Sequence, residues 1–168
     1  MLLSACSRSS FIEELNTIDS LITEYNELQI LVDSISTFQA KYYLDSYKQD
    51  IELIKKTMNP EKMPSLEDSQ YIDAFRSIKK TFKKQPRKKA SLQNNIKKNL
   101  DQLNHLKSDV KKQTFDPTSI QSFLQQEEML LQKLQKEHAD ILQQVREEIA
   151  KYDSLKILLP KKLKSLSQ

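Results

Sequence analysis

The chain has 168 residues, a formal net charge of +4 and 30% charged side chains, with no glycine, no tryptophan and one cysteine. Without glycine, the primed turns of β-hairpins and the phosphate-cradling loops of nucleotide enzymes lack the residue they lean on, which disfavours sheets and Gly-rich binding sites. A single cysteine excludes an intramolecular disulfide, and no stretch reaches the ~20 apolar residues of a membrane-spanning helix.

The first regular element is announced by Ser10-Phe11-Ile12-Glu13, a capping box with Ser at the N-cap and Glu three residues on. Apolar residues then recur in steps of three and four from Phe11 through Leu15, Ile18, Ile22, Tyr25, Leu28, Val32, Ile35, Phe38 and Tyr42, and onward to Met58. This pattern predicts one long amphipathic helix over about 11–57, ended by Asn59-Pro60 and Met63-Pro64. Ser65-Leu66-Glu67-Asp68 restarts a helix whose apolar stripe runs from Ile72 to Val110. Pro86 lies in the weakest part of that stripe, where loss of a backbone hydrogen bond and a clash with the Phe82 carbonyl predict a kink or a split. Asp116-Pro117-Thr118 reads as an N-cap followed by proline at the first helical position. A heptad frame from Leu124 to Leu159 follows, and Pro160 is expected to end it, leaving a basic tail over 161–168. Short connections make sequential helices antiparallel neighbours. The expected fold is therefore all-α, an elongated antiparallel three-helix bundle over 10–160 with the middle helix kinked or split near Pro86.

Ahead of the first helix stands Leu3-Ser4-Ala5-Cys6, a Leu and two small residues before the lone cysteine. The tetrapeptide resembles the lipobox of bacterial lipoproteins. In that family a diacylglyceryl group is attached to the cysteine sulfur and the signal peptide is cut just before it. The resemblance implies lipidation at Cys6, a residual signal peptide and tether over 1–9, and a membrane-anchored, periplasm-facing place in a bacterial cell envelope. Ser7, rather than Asp, follows the cysteine, which in the enterobacterial pattern implies outer-membrane sorting. A tether from Cys6 to Ser9 spans at most ~14 Å.

Charge is distributed unevenly. Residues 1–72 carry 6 basic and 12 acidic side chains, whereas 79–98 carry 9 basic and none acidic. The nine are Lys79, Lys80, Lys83, Lys84, Arg87, Lys88, Lys89, Lys97 and Lys98. Such a run either attracts an anionic partner, whether acidic protein or lipid headgroup, or forms a solvated face. Nucleic-acid recognition lacks its usual signatures of zinc spacing, aromatic RNA-binding run or helix-turn-helix.

Tyr42, Tyr43 and Tyr47 cluster within six residues, Tyr43 and Tyr47 on one helix face and Tyr42 elsewhere. His138 shares the heptad frame with Glu127 and Glu148, while the second histidine, His105, lies one turn from Asp109. No Glu-x-x-His pair of the di-iron type occurs, so these read as polar bundle positions rather than metal ligands. No catalytic grouping, cofactor or metal is assigned. Two functional readings remain open. One is a non-enzymatic, lipid-anchored envelope protein acting as a helical interaction or structural module. The alternative is a soluble helical adaptor or chaperone-like protein that binds acidic partners through the Lys79–Lys98 stretch.

Overall fold

A computed structural model describes residues 11–112, 114 and 117–167, with the side chains of Phe38, Pro117 and Thr118 excepted. Among these residues the chain forms four helices: α1 (Ile12–Asp33), α2 (Thr37–Thr57), α3 (Leu66–Lys111) and α4 (Pro117–Ser167). The described residues are all-α, and the expected three-helix bundle is corrected to four helices.

The correction lies at residues 34–36, where the anticipated single helix over 11–57 breaks. The Ser34 hydroxyl donates to the Leu31 carbonyl at 2.6 Å, and the Ile35 amide tightens to a three-residue bond with the Val32 carbonyl. Ser36 is extended (φ −73°, ψ 104°), and its hydroxyl accepts from the Gln39 amide at 3.1 Å. That is an N-cap, and Ser36-Thr37-Phe38-Gln39 has the form of a capping box. The apolar rhythm crosses the break undisturbed because Ile35, in the connection, is as buried as the core positions before it. Periodicity alone therefore could not reveal the interruption.

Three further details differ from expectation or refine it. The N-cap position of α1 is Phe11, with no side-chain cap bond, whereas Ser10 lies outside the described residues. Pro86 does not split α3, which is continuous from Leu66 to Lys111; its ring is exposed while Phe82 and Gln85 beside it are buried. Nor does Pro160 end α4, so 161–167 is helix rather than tail. Packing holds the helix on both sides of it: Leu159 before and Leu166 after are buried, and the Leu166 carbonyl accepts from the Asn59 amide at 3.1 Å. The tertiary contacts offset the single backbone bond that the proline forfeits. By contrast, the Ser65 start of α3 forms as expected, its hydroxyl accepting from the Asp68 amide at 3.1 Å and donating to the Asp68 carboxylate at 2.7 Å. The helix α4 begins at Pro117; the expected cap, Asp116, lies outside the described residues.

The chain divides into two compact units, each built from three helical segments. The first takes α1, the second part of α3 from Lys89, and α4 up to Ala139. Its pairings descend along α3 as α1 ascends: Asp19 with Lys107, Tyr25 with Asn99, Asp33 with Gln93. The two are therefore antiparallel. Ile18, Val32, Leu92, Ile96, Leu103 and Ile120 form its fully buried apolar interior. Within it sits one polar network. The Tyr25 hydroxyl accepts from Asn99 Nδ2 at 2.9 Å and faces the Glu127 carboxylate and carbonyl at 3.3 and 3.2 Å. Burial pushes Tyr25 up to about 12 and raises Glu127, against the opposing pull of the Tyr25 bond and Lys98.

The second unit takes α2, α3 through Lys88, and α4 from Asp140. Aromatic rings fill it. Tyr43 stacks on Phe82 (5.4 Å between centroids), Tyr47 stacks on Phe75 (5.6 Å), and Tyr152 meets both Tyr43 and Phe75. Fully burying a ring of this size stabilises by roughly 1.5–3 kcal/mol. The polar tips find partners: Tyr71 donates to the Leu155 carbonyl at 3.0 Å, and Tyr152 to Asp50 at 2.5 Å, where Lys156 also pairs. At one end, Lys162 bridges Glu67 (2.7 Å) and the buried Asp68 (3.0 Å). Bonds from Ser65 and Lys162 hold the Asp68 carboxyl below its ordinary value.

Candidate anion-binding face

The basic stretch lies on α3, and the helix distributes its nine cations among different roles. Lys97 and Lys98 belong to the first unit and are exposed. Lys89, in the same unit, is structural: its ammonium donates to the carbonyls of Asp33 and Ile35 at 2.8 Å each. Those carbonyls lie at the end of α1 and just beyond it, where backbone acceptors lack helical partners and a cation complements the helix dipole. The other six belong to the second unit, where a 3.6-residue period turns them toward different grooves. Lys79 lines a groove with Lys48, Lys55 and Arg76, and there the charge is internally compensated, since Lys48, Lys55 and Arg76 pair with Asp45, Glu52 and Asp73. Lys83 lines an apolar groove with Lys41, Leu44, Phe82 and Pro86, whereas Arg87 is exposed.

Lys80, Lys84 and Lys88 converge instead. With Thr81, Gln85, Ile141, Gln144 and Val145 they line a groove of about 200 Å³ between α3 and α4. None of these lining residues is acidic, so three lysines share the groove without a carboxylate in its walls. Lys88 donates to Gln144 Oε1 at 2.7 Å, which orients it and leaves two of its three N–H bonds unused. Gln85 is the unusual member. It is only 3% exposed, and its Oε1 has no hydrogen-bond partner among the described residues. An orphaned buried acceptor costs about 1–3 kcal/mol. Gln85 and Gln144 carry no sequence signal, because which side chains share a groove depends on how α3 and α4 pack.

The remaining candidates resolve into structural positions. Tyr43 and Tyr47 pack in the aromatic interior, and Tyr42 is exposed with its ring edge-on to Tyr43 at 5.4 Å. Glu127 joins the Tyr25–Asn99 network, while His138 Nε2 and Glu148 Oε2 are buried without a partner among the described residues. His105 is exposed, and Asp109 serves through its backbone carbonyl, which accepts from Thr114. Among the described residues no three His, Cys, Asp or Glu side chains gather as a metal site would require, and no helix is long and apolar enough to cross a membrane. Cys6 and the rest of the lipobox-like segment lie outside the described residues. No protein-family model, curated protein or solved structure matches the chain.

Proposed function

We propose that this chain is a helical binding module, an adaptor or chaperone-like protein that engages an acidic protein partner through the basic face of α3. The observation that carries this reading is the α3–α4 groove, where three lysines gather with no acidic residue among the lining side chains. A solvated face with no partner favours interspersed charges of both signs, which reduce mutual repulsion; 79–98 has none of the negative sign. Fluorescence anisotropy of labelled poly-glutamate titrated with the full chain tests the reading. Binding is expected to weaken steeply between 50 and 200 mM salt, as a set of solvent-accessible ion pairs should, and to be lost on replacing Lys80, Lys84 and Lys88 with Gln. Binding indifferent to salt and to those replacements would contradict it.

A second reading, which is compatible with the first, rests on Leu3-Ser4-Ala5-Cys6. Acylation of Cys6 would tether the module to a bacterial envelope membrane, with the partner met at that surface. Intact mass and membrane fractionation of the native full-length protein test it; an unmodified Cys6 behind a retained Met1 counts against it.

A further inference from the structure

We infer that the α2–α3 groove beside Pro86 is a second binding site, one that takes a single-chain anionic amphiphile such as a fatty acid. It lies wholly within the second unit and shares no lining residue with the α3–α4 groove, so it stands or falls independently of the acidic-partner reading. The groove has a volume of about 500 Å³ and is lined by Ala40, Lys41 and Leu44 of α2 and by Phe82, Lys83 and Pro86 of α3. Small-molecule sites typically enclose ~300–1,000 Å³, with mostly apolar walls and a few charged or polar groups that orient the ligand. Ala40 and Phe82 are buried and form the base, while half-buried Leu44 and the exposed Pro86 ring present apolar surface that a ligand can reach. Lys41 and Lys83 are exposed, one from each helix. Neither has an ion pair among the described residues, and no acidic residue lines the groove. Asp45, one turn beyond Lys41, pairs instead with Lys48 at 2.8 Å.

The combination of surfaces selects the ligand. A lysine stem lies along apolar surface while its ammonium stays in water, so Lys41 and Lys83 extend the apolar walls and set positive charge at their rim. A bare anion would meet the two cations but leave Leu44 and Pro86 in water. An uncharged hydrocarbon would cover those side chains and leave the cations without a counterion. An acidic peptide brings a polar main chain, and Thr37 is the one neutral polar side chain among the lining residues. A run of methylenes ending in a carboxylate satisfies both surfaces at once. Pro86 also gains a part that helix formation does not give it: α3 runs straight through, and the exposed ring stands in the groove wall.

Isothermal titration of the full chain with octanoate, decanoate and dodecanoate, each kept monomeric, tests the inference. A fully buried methylene strengthens binding about 4-fold. In a groove open to solvent about half of that free energy is expected, roughly 2-fold per methylene and about 16-fold from octanoate to dodecanoate, with one site per chain. Replacing Lys41 and Lys83 together with Gln should weaken dodecanoate about 10-fold, about 3-fold per ion pair, and change dodecanol binding less than about 2-fold. Pro86→Glu sets a carboxylate in the wall while removing a residue that disfavours helix, and should weaken dodecanoate about 10-fold or more. Thermal melts by circular dichroism verify that each variant folds. Affinity that does not rise with chain length, unchanged dodecanoate binding by K41Q/K83Q, or uptake of many molecules per chain overturns the inference. Loss of dodecanoate binding in K80Q/K84Q/K88Q but not in K41Q/K83Q moves the anion to the α3–α4 groove and overturns it as well. Binding of phosphatidylglycerol vesicles without binding of monomeric dodecanoate assigns the groove to a membrane surface. Loss of poly-glutamate binding in K41Q/K83Q, again without dodecanoate binding, assigns it to the protein partner; either result overturns the amphiphile. One-site dodecanoate binding with the expected chain-length trend, in a chain that ignores poly-glutamate, upholds this inference and refutes the acidic-partner reading alone.

Discussion

Lys89 and Lys84 lie five residues apart in the same basic run, yet their substitutions should have opposite consequences. Lys89→Met removes an ammonium that donates two 2.8 Å bonds to the Asp33 and Ile35 carbonyls. A cation at a helix C-terminus is worth about 0.3–1 kcal/mol, and each hydrogen bond to a charged group contributes about 1.5–3 kcal/mol when sequestered. Lys89 is half-buried and the Asp33 contact is exposed, so water recovers much of that loss, and about 1.5 kcal/mol is the expected cost. For a chain of this size, 1 kcal/mol moves Tm by roughly 2–4 °C, which places the variant about 3–6 °C below the wild type. Lys84→Met, at an exposed position with no ion pair among the described residues, should melt within about 1 °C of the wild type and lose acidic-peptide affinity instead. Circular dichroism melts at 222 nm, paired with anisotropy titrations of the same samples, read both properties. If Lys89→Met melts like the wild type while weakening peptide binding, or if Lys84→Met is the destabilised variant, the division of the basic run into structural and binding members is refuted.

Other outcomes follow from the core and the caps. Glu127 has its carboxyl raised by burial above the ordinary 4.5, so the folded state holds its proton to higher pH than the unfolded chain. Its contribution is fully present below pH 4.5 and is lost as pH rises through the folded value; Glu127→Gln should therefore gain Tm on the wild type as melts move from pH 4 to pH 8, and a constant difference would contradict this. Asp68 has the opposite sign, because its lowered folded value gives stability above the unfolded value near 3.8 that disappears as acid protonates it. Asp68→Asn should flatten the acid limb of a Tm-versus-pH profile. Ser36→Ala removes the cap of α2 and should cost about 1 kcal/mol in urea unfolding. Lys162→Met should cost roughly 2 kcal/mol by the same measurement. This is less than for a fully buried pair, since Glu67 is exposed and two serines still hold Asp68.

The helical class was legible from the apolar spacing and the absence of glycine, and the Ser65 cap and the Pro117 start were legible from local chemistry. Pro160 was expected to end α4 and Pro86 to kink or split α3, yet neither helix is interrupted: burial of Leu159, Lys162 and Leu166 in one case, and of Phe82 and Gln85 in the other, holds it through. Tertiary packing outweighs a single missing backbone bond. At 34–36 the error ran the other way, because the apolar rhythm concealed a break that Ser36-Thr37-Phe38-Gln39 had spelled out in capping chemistry. The basic run was visible as composition, but its partition was not. Which lysine caps α1 and which three line a groove depends on what α1 and α4 place opposite each turn of α3, and residues 33–35 and 141–145 are distant in sequence. Gln85 was invisible for the same reason: an orphaned acceptor exists only once its surroundings are built.

Amide chemical-shift mapping of the ¹⁵N-labelled full chain, titrated with poly-glutamate at 50 mM salt, tests the central claim most directly. Binding through the basic face of α3 predicts the largest perturbations at 80–88 and 141–145, with little change at 97 and 98. Perturbations centred instead on the exposed apolar side chains of α4, such as Ile157 and Leu158, or spread evenly over every exposed lysine, would contradict it.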